Sequence, residues 1–375
     1  MAITHERAAA AKLRVTIVDP RQDADTIRRV WTQVADRTGA TELAHDVEWF
    51  WGNLEWFSPP ERQLRFLIVS DREQPVAVLP LEKRRVAAGP LSIPALGFIH
   101  HPATPAGTAL VLPEDHDAVG DAFAVCLGEQ YRSWRCLSLE GLESGSAWER
   151  TVRRKLAPRA IMVERAPAPE SYMEIGGSWE EFLTNRSHKF RKQMRSDCRR
   201  LQSLGCAYGD HVGETALSLD ALEQIDRKSW RIDKRESWDK NESLLRYCRG
   251  LSELYPRPMR ILRCLVLDGQ AIAGFFGLRH GNVLHAIKLN YDRTYERYSP
   301  GKVLLAEVYR ECFEVGVMRV ELLAHTEFAH RMANATRHRS KALMFNRRSS
   351  GLILGSLLRF ALAAKRRWTE RRGPR

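Results

Sequence analysis

The chain has 375 residues, of which 44% are hydrophobic and 28% charged, and its formal net charge is +13. This composition excludes a disordered chain and predicts a globular protein, and the length favours two domains of ordinary size. A strongly basic balance suits a partner that carries phosphates, such as nucleic acid, an anionic membrane surface or a phosphorylated cofactor. Much of the surplus lies in 337–375, which holds twelve Lys or Arg residues and one acidic residue.

The seven cysteines show no C-x-x-C spacing, and most fall inside apolar segments. We interpret them as buried free thiols in a reducing compartment and predict no metal site. The N-terminal segment has charged residues between His5 and Lys12 and no apolar run, so we do not expect a signal peptide there. The apolar stretch 351–364 is too short to span a bilayer and contains Arg359. A cytoplasmic protein, at most peripheral to a membrane, is expected.

The first half alternates strand and helix patterns after an N-terminal tail over 1–13, which we predict to be disordered. The predicted elements are, in order, the strand Arg14–Asp19, the helix Asp25–Arg37, the strands Leu64–Val69 and Val76–Leu81, the helix Asp117–Tyr131, the strand Trp134–Leu139, the helix Trp148–Leu156 and the strand Ile161–Arg165. A long Gly- and Pro-rich loop is predicted over 89–113. The segment Pro167–Pro169 marks the domain boundary.

The second half opens with a strand at Met173–Ile175 and one long helix from the N-cap Ser178 to Gly205. The further predicted elements are the helices Asp220–Arg231 and Glu242–Tyr255, the central stretch Arg260–Gly316, the strand Arg319–Leu323, the short helix Glu327–Ala333, a strand near Ala342–Asn346 and a basic last helix. The predicted limits of the two domains are 14–168 and 169–349, followed by a basic helix and tail over 350–375.

The central stretch predicts three strands and then a tight turn that opens a helix. A hairpin joins Arg260–Leu267 to Ala271–Leu278 through an Asp-Gly turn, and Val283–Tyr291 continues the sheet. In the turn that follows, Ser299 is a plausible N-cap, Pro300 suits the first helical position, and Gly301 leaves the backbone bare. A helix N-terminus of this kind is an anion site, suited to a phosphate or pyrophosphate.

The two halves share a local pattern. The segment Leu64–Leu81 and the segment Leu262–Leu278 each read as an apolar strand, a turn containing Asp and a second apolar strand, offset by 198 residues. This echo suggests two copies of one α/β unit, although hairpins are common enough for coincidence to remain open.

These residues resemble a known family, the tandem-domain GNAT-superfamily acyltransferases, and specifically the CelD-like acetyltransferases associated with bacterial cellulose and polysaccharide loci. The matching segments are Gly177–Leu183, Phe190–Arg195, Arg199–Leu201, Ser229–Arg231, Tyr291–Asp292, Tyr298–Leu305 and Gly316. The similarity covers roughly 175–346 well and extends to the first half as a degenerate copy. It implies an α/β (α+β mixed sheet) fold of two tandem GNAT-like domains, each with a mixed, mostly antiparallel sheet flanked by helices.

The resemblance also implies transfer of an acyl group from acetyl-CoA or another acyl-CoA to an amine, without a covalent enzyme intermediate. The pyrophosphate would lie on the backbone of Tyr298, Ser299, Pro300, Gly301 and Lys302. The family's late acidic residue is present as Glu321, but its Gly and Tyr-Lys are replaced by His325 and Ala329-His330.

Under the resemblance, four residues are candidates for the chemistry of acyl transfer. Asp292 and Glu321 would orient or deprotonate the amine, and His325 has a pKa suited to general-base work. Tyr291 or Tyr298 would protonate the leaving thiolate. Structural roles remain open for the same residues: Asp292 as a turn cap, His325 as a loop histidine, and Tyr298 packed under the turn.

Seven Lys or Arg side chains between 186 and 200 predict a basic helix face. Together with the tail 337–375, this face could bind tRNA or an anionic surface, or simply be solvated. The tandem architecture also resembles the Fem-type aminoacyltransferases, which use aminoacyl-tRNA. Two alternatives to the acyl-CoA enzyme therefore stand: a Fem-like transferase, and a catalytically degenerate fold that binds nucleic acid or an anionic surface.

Overall fold

A computed structural model of the chain describes residues 13–39, 43–57, 63–88, 91–99, 109–129, 134–229, 237–238, 240–322, 326–348 and 350–360. The strands are β1 (Arg14–Val18), β2 (Gln63–Asp71), β3 (Gln74–Ala88), β4 (Leu91–Phe98), β5 (Leu110–Val111), β6 (Cys136–Ser138), β7 (Ala160–Val163), β8 (Ala168–Glu174), β9 (Ala207–Gly209), β10 (His211–Val212), β11 (Thr215–Ala216), β12 (Arg260–Leu267), β13 (Gln270–His280), β14 (Val283–Tyr291), β15 (Arg319–Glu321), β16 (Ala335–Arg339) and β17 (Leu343–Asn346).

The α-helices are α1 (Ala24–Thr38), α2 (Val47–Phe57), α3 (His116–Glu129), α4 (Ala147–Leu156), α5 (Trp179–Thr184), α6 (His188–Ser203), α7 (Leu219–Asp226), α8 (Glu242–Leu254), α9 (Pro300–Glu314) and α10 (Glu327–Met332). Short 3₁₀ turns occupy Leu43–His45, Pro113–Asp115 and Arg293–Tyr298. A last helical segment covers 351–360.

Two large sheets of matching order form the framework. The first runs β1-β2-β3-β4-β6-β17-β7, with β5 beside β3, and the second runs β9-β12-β13-β14-β15-β8-β16. In each sheet the fourth and fifth strands are parallel and the other described pairs are antiparallel. The hairpins β2–β3 and β12–β13 hold equivalent places, so the sequence echo has a structural counterpart.

The sixth strand of the first sheet comes from the far end of the chain, whereas that of the second sheet opens the second half. β8, which opens the second half, lies between β15 and β16, whereas β17 returns to the first sheet and lies between β6 and β7. The predicted domain limit at 168/169 falls after the first residue of β8, and β17, from the second half, pairs with the sheet of the first half. This one strand joins the two halves through backbone hydrogen bonds.

Each sheet is covered by helices on both faces, because its strands carry apolar side chains on both sides. In the first half α3 and α4 pack on one face and α1 and α2 on the other. In the second half α5, α6 and α9 share one apolar cluster, and α7 and α8 share another. Trp49 of α2 belongs to the cluster of α7 and α8, so α2 also bridges the two halves.

The single long helix predicted from Ser178 to Gly205 is wrong, since the chain breaks it into α5 and α6. Ser187 restarts the helix as an N-cap, accepting a hydrogen bond from the Phe190 amide at 3.2 Å. In the break, the Arg186 guanidinium lies 5.1 Å from the centre of the Phe190 ring. The local pattern of apolar residues did not reveal this break, because both helices continue the same apolar face.

The sequence did not predict the short strands β5, β9, β10 and β11, nor the longer strands β4 and β16, which lack a plain alternation of β-branched residues. β4 lies inside the loop predicted over 89–113 and contains Pro94, which pairs opposite Arg85 of β3. β16 carries arginines at Arg337 and Arg339, which read as polar loop residues. Their strand character comes from pairing with β3 and β8, respectively, rather than from local propensity.

Candidate functional site

β14 and β15 form the parallel pair of the second sheet. Their described pairing covers three residue pairs, from Val283–Arg319 to His285–Glu321. Directly beyond this point the register between β13 and β14 shifts, so that Ile287 is an extra residue in β14. β14 then continues to Tyr291. Within the described residues the pairing with β15 thus ends next to the bulge of β14, and a backbone edge free beyond the bulge would suit an extended ligand.

The N-terminus of α9 lies beside the end of β14. Pro300 occupies the first helical position, as predicted. Ser299 precedes it in the left-handed conformation, with φ 52° and ψ 46°, and within the described residues its side chain makes no cap hydrogen bond. The amides of Lys302 and Val303 donate to the Ser299 carbonyl at 3.0 and 3.2 Å. Pro300 has no N–H, and the amides of Lys302 and Val303 are used in these two bonds. The Gly301 amide is therefore the donor of the first helical turn that could bind an anion.

Close packing against Tyr291 requires a glycine at position 301. A Cβ atom at this position would lie 2.9 Å from Cδ1 of Tyr291, so the tyrosine ring already occupies the space that the glycine leaves. The structure therefore brings two predicted site residues, Tyr291 and Gly301, into contact. A bulky substitution of Gly301 would displace the ring whether or not a ligand binds, so it is a poor test of the site.

Lys302 forms an ion pair that the sequence analysis did not foresee. Its ammonium contacts Oδ2 of Asp197 on α6, and Asp197 is buried. The other carboxylate oxygen accepts a hydrogen bond from Gln193 at 2.8 Å. Lys302 thus ties α6 to the first turn of α9, and its charge lies at the positive end of the helix, which suits an anion there.

A cavity of about 380 Å³ lies at the same edge of the second sheet, next to the turn that precedes α9. Tyr298, a predicted binding residue, lines it, and the Arg297 guanidinium lies 4.7 Å from the centre of the Tyr298 ring. The other lining residues come from the end of α6, the β12–β13 turn and the 3₁₀ turn before α9: Leu204, Leu267, Asp268, Thr294 and Tyr295. Aromatic rings beside a cation suit a planar, negatively charged group.

A buried polar cluster lies behind the bulge of β14, on the face covered by α7. Oδ1 of Asp226 lies 3.0 Å from Nζ of Lys288 and accepts a hydrogen bond from Asn290. Oδ2 accepts a hydrogen bond from the Trp238 amide, and the Lys288 ammonium lies 5.0 Å from the centre of the Trp238 ring. The sequence analysis missed this cluster, although a Lys and an Asn inside an apolar strand were a usable signal.

Asp292 caps a turn, which is the structural role left open for it. Its Oδ1 accepts hydrogen bonds from the amide and hydroxyl of Thr294, at 2.9 and 2.7 Å. Its Oδ2 lies 3.8 Å from Nζ of Lys228. These contacts fix the turn that carries the chain from β14 to α9, so the carboxylate orients the backbone of the candidate site.

Glu321 and Asp292 do not meet. Glu321 pairs with His285, seven residues before Asp292 on β14, which is roughly 23 Å at about 3.3 Å per residue. The Glu321 carboxylate is fully buried and is bound by Arg337 at 2.9 and 2.6 Å and by Arg319 at 2.8 Å. The register of β15 therefore places the two carboxylates far apart along β14, and their roles toward the amine stay predictions. His325 lies outside the described residues.

The predicted basic face belongs mostly to α6, and its members divide into two groups. Arg186 donates to the carbonyl of Arg331 at 2.9 Å, Arg191 to that of Thr184 at 2.6 Å, and Arg200 to that of Arg297 at 3.3 Å. The remaining members are exposed, and within the described part of the chain they form no ion pair with an acidic residue: Lys189, Lys192, Arg195 and Arg199. Lys192, Arg195 and Arg199 follow helical spacing and form a stripe that can contact phosphates.

Other chemistries receive less support from the described residues. Among them, no group of three or more His, Cys, Asp or Glu side chains is placed to hold a metal ion. Burial raises the pKa of the Cys198 thiol, which is near α9, to about 11, so it is protonated at neutral pH and is not an activated nucleophile. None of the helices in the described ranges is long and apolar enough to cross a membrane.

Residues 188–331 match the family model described as an acetyltransferase (GNAT) domain. The matched segment runs from α6 through α10 and includes the strand opening, the start of α9 and the buried cluster. The chain therefore carries a GNAT-type acyltransferase domain. Because the first sheet repeats the strand order of the second, the prediction of two tandem GNAT-like domains is confirmed.

Among solved structures, one described as FemX is similar over 91% of this chain and 100% of its own, with a TM-score of 0.57 and 9% identity. A conserved protein of unknown function from Bacteroides thetaiotaomicron VPI-5482 is similar over 89% of this chain and 100% of its own, with a TM-score of 0.50 and 13% identity. At these identities the likeness shows a shared fold. No curated protein sequence matches the chain.

Proposed function

We propose that the protein transfers an acyl group from acyl-CoA to an amine, and that the donor binds where β14 and β15 separate. The observation that carries the proposal is the coincidence of three features in the GNAT-matching segment. The described pairing of β14 with β15 ends at His285–Glu321, β14 bulges at Ile287, and the positive end of α9 lies beside the end of the same strand. An extended pantetheine arm can pair with the open edge of β14, and a pyrophosphate can accept from the Gly301 amide.

The cavity beside the turn before α9 supports the same donor. Its lining by Tyr295, Tyr298 and Arg297 suits the nucleotide end of CoA, because the rings can stack on a base and the guanidinium can pair with a phosphate. The predicted binding segment Tyr298–Lys302 then lies between this nucleotide pocket and the open edge of β14.

In the proposed reaction the amine nitrogen attacks the thioester carbon, the C–S bond breaks, and the thiolate takes up a proton. Tyr291 is the proposed proton donor, since its ring lies against Gly301 at the start of α9. His325 remains the predicted base. Asp292 and Glu321 are assigned as positioning residues, because one caps the turn and the other is held by arginines.

Isothermal titration of the full chain with acetyl-CoA and with a long-chain acyl-CoA tests the proposal. Both are expected to bind with dissociation constants between about 1 µM and about 1 mM, the usual range for enzyme substrates. Adenosine 3′,5′-bisphosphate should compete, because it carries the nucleotide end without the acyl arm. A folded sample that releases no binding heat with any of the three ligands would contradict the proposal.

Lys302→Gln separates a structural from a ligand-binding role for this residue. The single variant should lose about 2 kcal/mol of unfolding free energy, because it leaves the buried Asp197 carboxylate without its cation. The double variant Lys302→Gln/Asp197→Asn should recover most of this loss in urea denaturation. If Lys302 also contacts the donor phosphates, the folded double variant should bind acetyl-CoA about tenfold more weakly than the wild type. Full recovery of both stability and affinity would make Lys302 purely structural.

The exposed basic stripe on α6 favours a second donor, a charged tRNA, as in the Fem-type enzymes that the tandem fold resembles. Lys192, Arg195 and Arg199 present a row of cations without a recorded acidic partner among the described residues. Retention of tRNA at physiological salt, together with no heat from any CoA ligand, would replace acyl-CoA with aminoacyl-tRNA as the donor. Loss of tRNA binding as salt rises toward physiological strength would assign the stripe to non-specific contacts.

A further inference from the structure

The last helical segment, 351–360, presents apolar residues on two opposite sides. The inner side carries Gly351, Leu354, Gly355 and Leu358, and it packs on the first sheet. A Cβ atom at Gly355 would lie 2.7 Å from Cβ of Phe345 on β17, so the helix is seated as closely as glycine allows. The inner side therefore fixes the helix to the protein and leaves its other side outward.

The outer side is where a surface helix is normally polar. Here it carries Ile353, Leu357 and Phe360 with 66%, 62% and 76% of their surface exposed, and Leu352 beside them. Four of the ten exposed large apolar residues in the described structure lie in this one segment. A cluster of this kind marks an interaction surface rather than scattered surface hydrophobicity.

The charges around this helix indicate which kind of partner its outer face suits. Arg347 and Arg348 precede the helix and Arg359 lies within it. In the sequence that follows, 361–375, six Lys or Arg residues stand against one acidic residue. An exposed apolar helix face flanked by a surplus of cations is complementary to an anionic lipid surface, which offers acyl chains below a layer of negative headgroups.

We propose that the outer face of 351–360 docks the protein on anionic phospholipid bilayers. The helix lies in the interface plane, with Ile353, Leu357 and Phe360 below the headgroups and the flanking arginines among the phosphates. Docking through this helix brings the first sheet, on which the helix packs, against the membrane surface. The inference does not depend on which acyl donor the site uses.

The test is sedimentation of the full chain with vesicles made of equal parts phosphatidylcholine and phosphatidylglycerol. The wild-type protein should co-sediment with these vesicles, and the binding should weaken with salt. The variant Ile353→Ser/Leu357→Ser/Phe360→Ser should bind at least about tenfold more weakly, because the apolar area that enters the interface is removed. Its melting curve should match the wild type, since these side chains are exposed.

The matched control Val315→Ser/Met318→Ser removes apolar surface elsewhere. These two residues, at the end of α9 and in the turn after it, are 45% and 61% exposed. The control variant should bind vesicles like the wild type. Equal binding by the wild type and the triple variant would overturn the proposal, as would equal binding to pure phosphatidylcholine vesicles. A third contradicting outcome is a wild-type protein that is a dimer and binds no vesicles, together with a triple variant that is a monomer. In that case a second copy of the chain would cover the outer face.

Discussion

Asp226→Asn is expected to lower the free energy of unfolding by about 3–5 kcal/mol. Asp226 is fully buried, and its carboxylate faces the ammonium of Lys288 at 3.0 Å. It also accepts hydrogen bonds from Asn290 and from the Trp238 amide. An asparagine removes the negative charge and points an NH₂ group at one of these donors. Lys288 stays buried in the variant, since only 7% of its surface is exposed. A buried cation without this carboxylate is the main cost.

Urea denaturation followed by circular dichroism measures the loss, and the variant Asp226→Asn/Lys288→Met is the control. Because it removes both charges together, it should be several-fold less destabilised than the single variant. A single variant within about 0.5 kcal/mol of the wild type would show that the pair is hydrated rather than buried. Since Lys288 follows the bulge at Ile287, the single variant should also weaken ligand binding at β14 in the fraction that stays folded.

Local sequence signals predicted the elements around the site well. The Asp268-Gly269 turn was predicted from its dipeptide, and both residues have positive φ, 50° and 73°. Pro300 was placed at the first helical position for the same local reason. In both cases the conformation is imposed by residues that are neighbours in sequence, so pattern and structure agree.

Contacts that depend on register or on distant packing could not be predicted. β14 and β15 are neighbours, as expected, yet the register that pairs His285 with Glu321 decides where the carboxylate lies. Asp226 and Lys288 meet because α7 packs over β13 and β14, a long-range arrangement with no local signature. The place of β17 is of the same kind, since this strand from the second half pairs with β6 and β7 of the first half.

The arginines around Glu321 explain why a positioning role suits this residue better than general-base catalysis. Glu321 lies on β15, and Arg337 on β16 bridges it to Glu170 on β8, which Arg337 contacts at 2.6 Å. Arg339 contacts the same Glu170 oxygen at 2.8 Å. These ion pairs link β8 to β15 and β16, so they hold it in register between the two strands. A base would need a lone pair directed at the substrate, whereas both Glu321 oxygens already face guanidinium groups.

Glu321→Gln should therefore lower the free energy of unfolding by about 3 kcal/mol, because it leaves Arg319 and Arg337 without a buried carboxylate. The rate of acyl transfer per folded molecule, measured well below the melting temperature, should fall less than about tenfold, whereas loss of a general base costs about 10²–10⁴-fold. Glu174→Gln, an exposed change on β8, should alter stability by less than about 0.5 kcal/mol. A rate loss of a hundredfold or more with unchanged stability would instead make Glu321 the base, and the arginines would then serve to tune its pKa rather than to fix the strand.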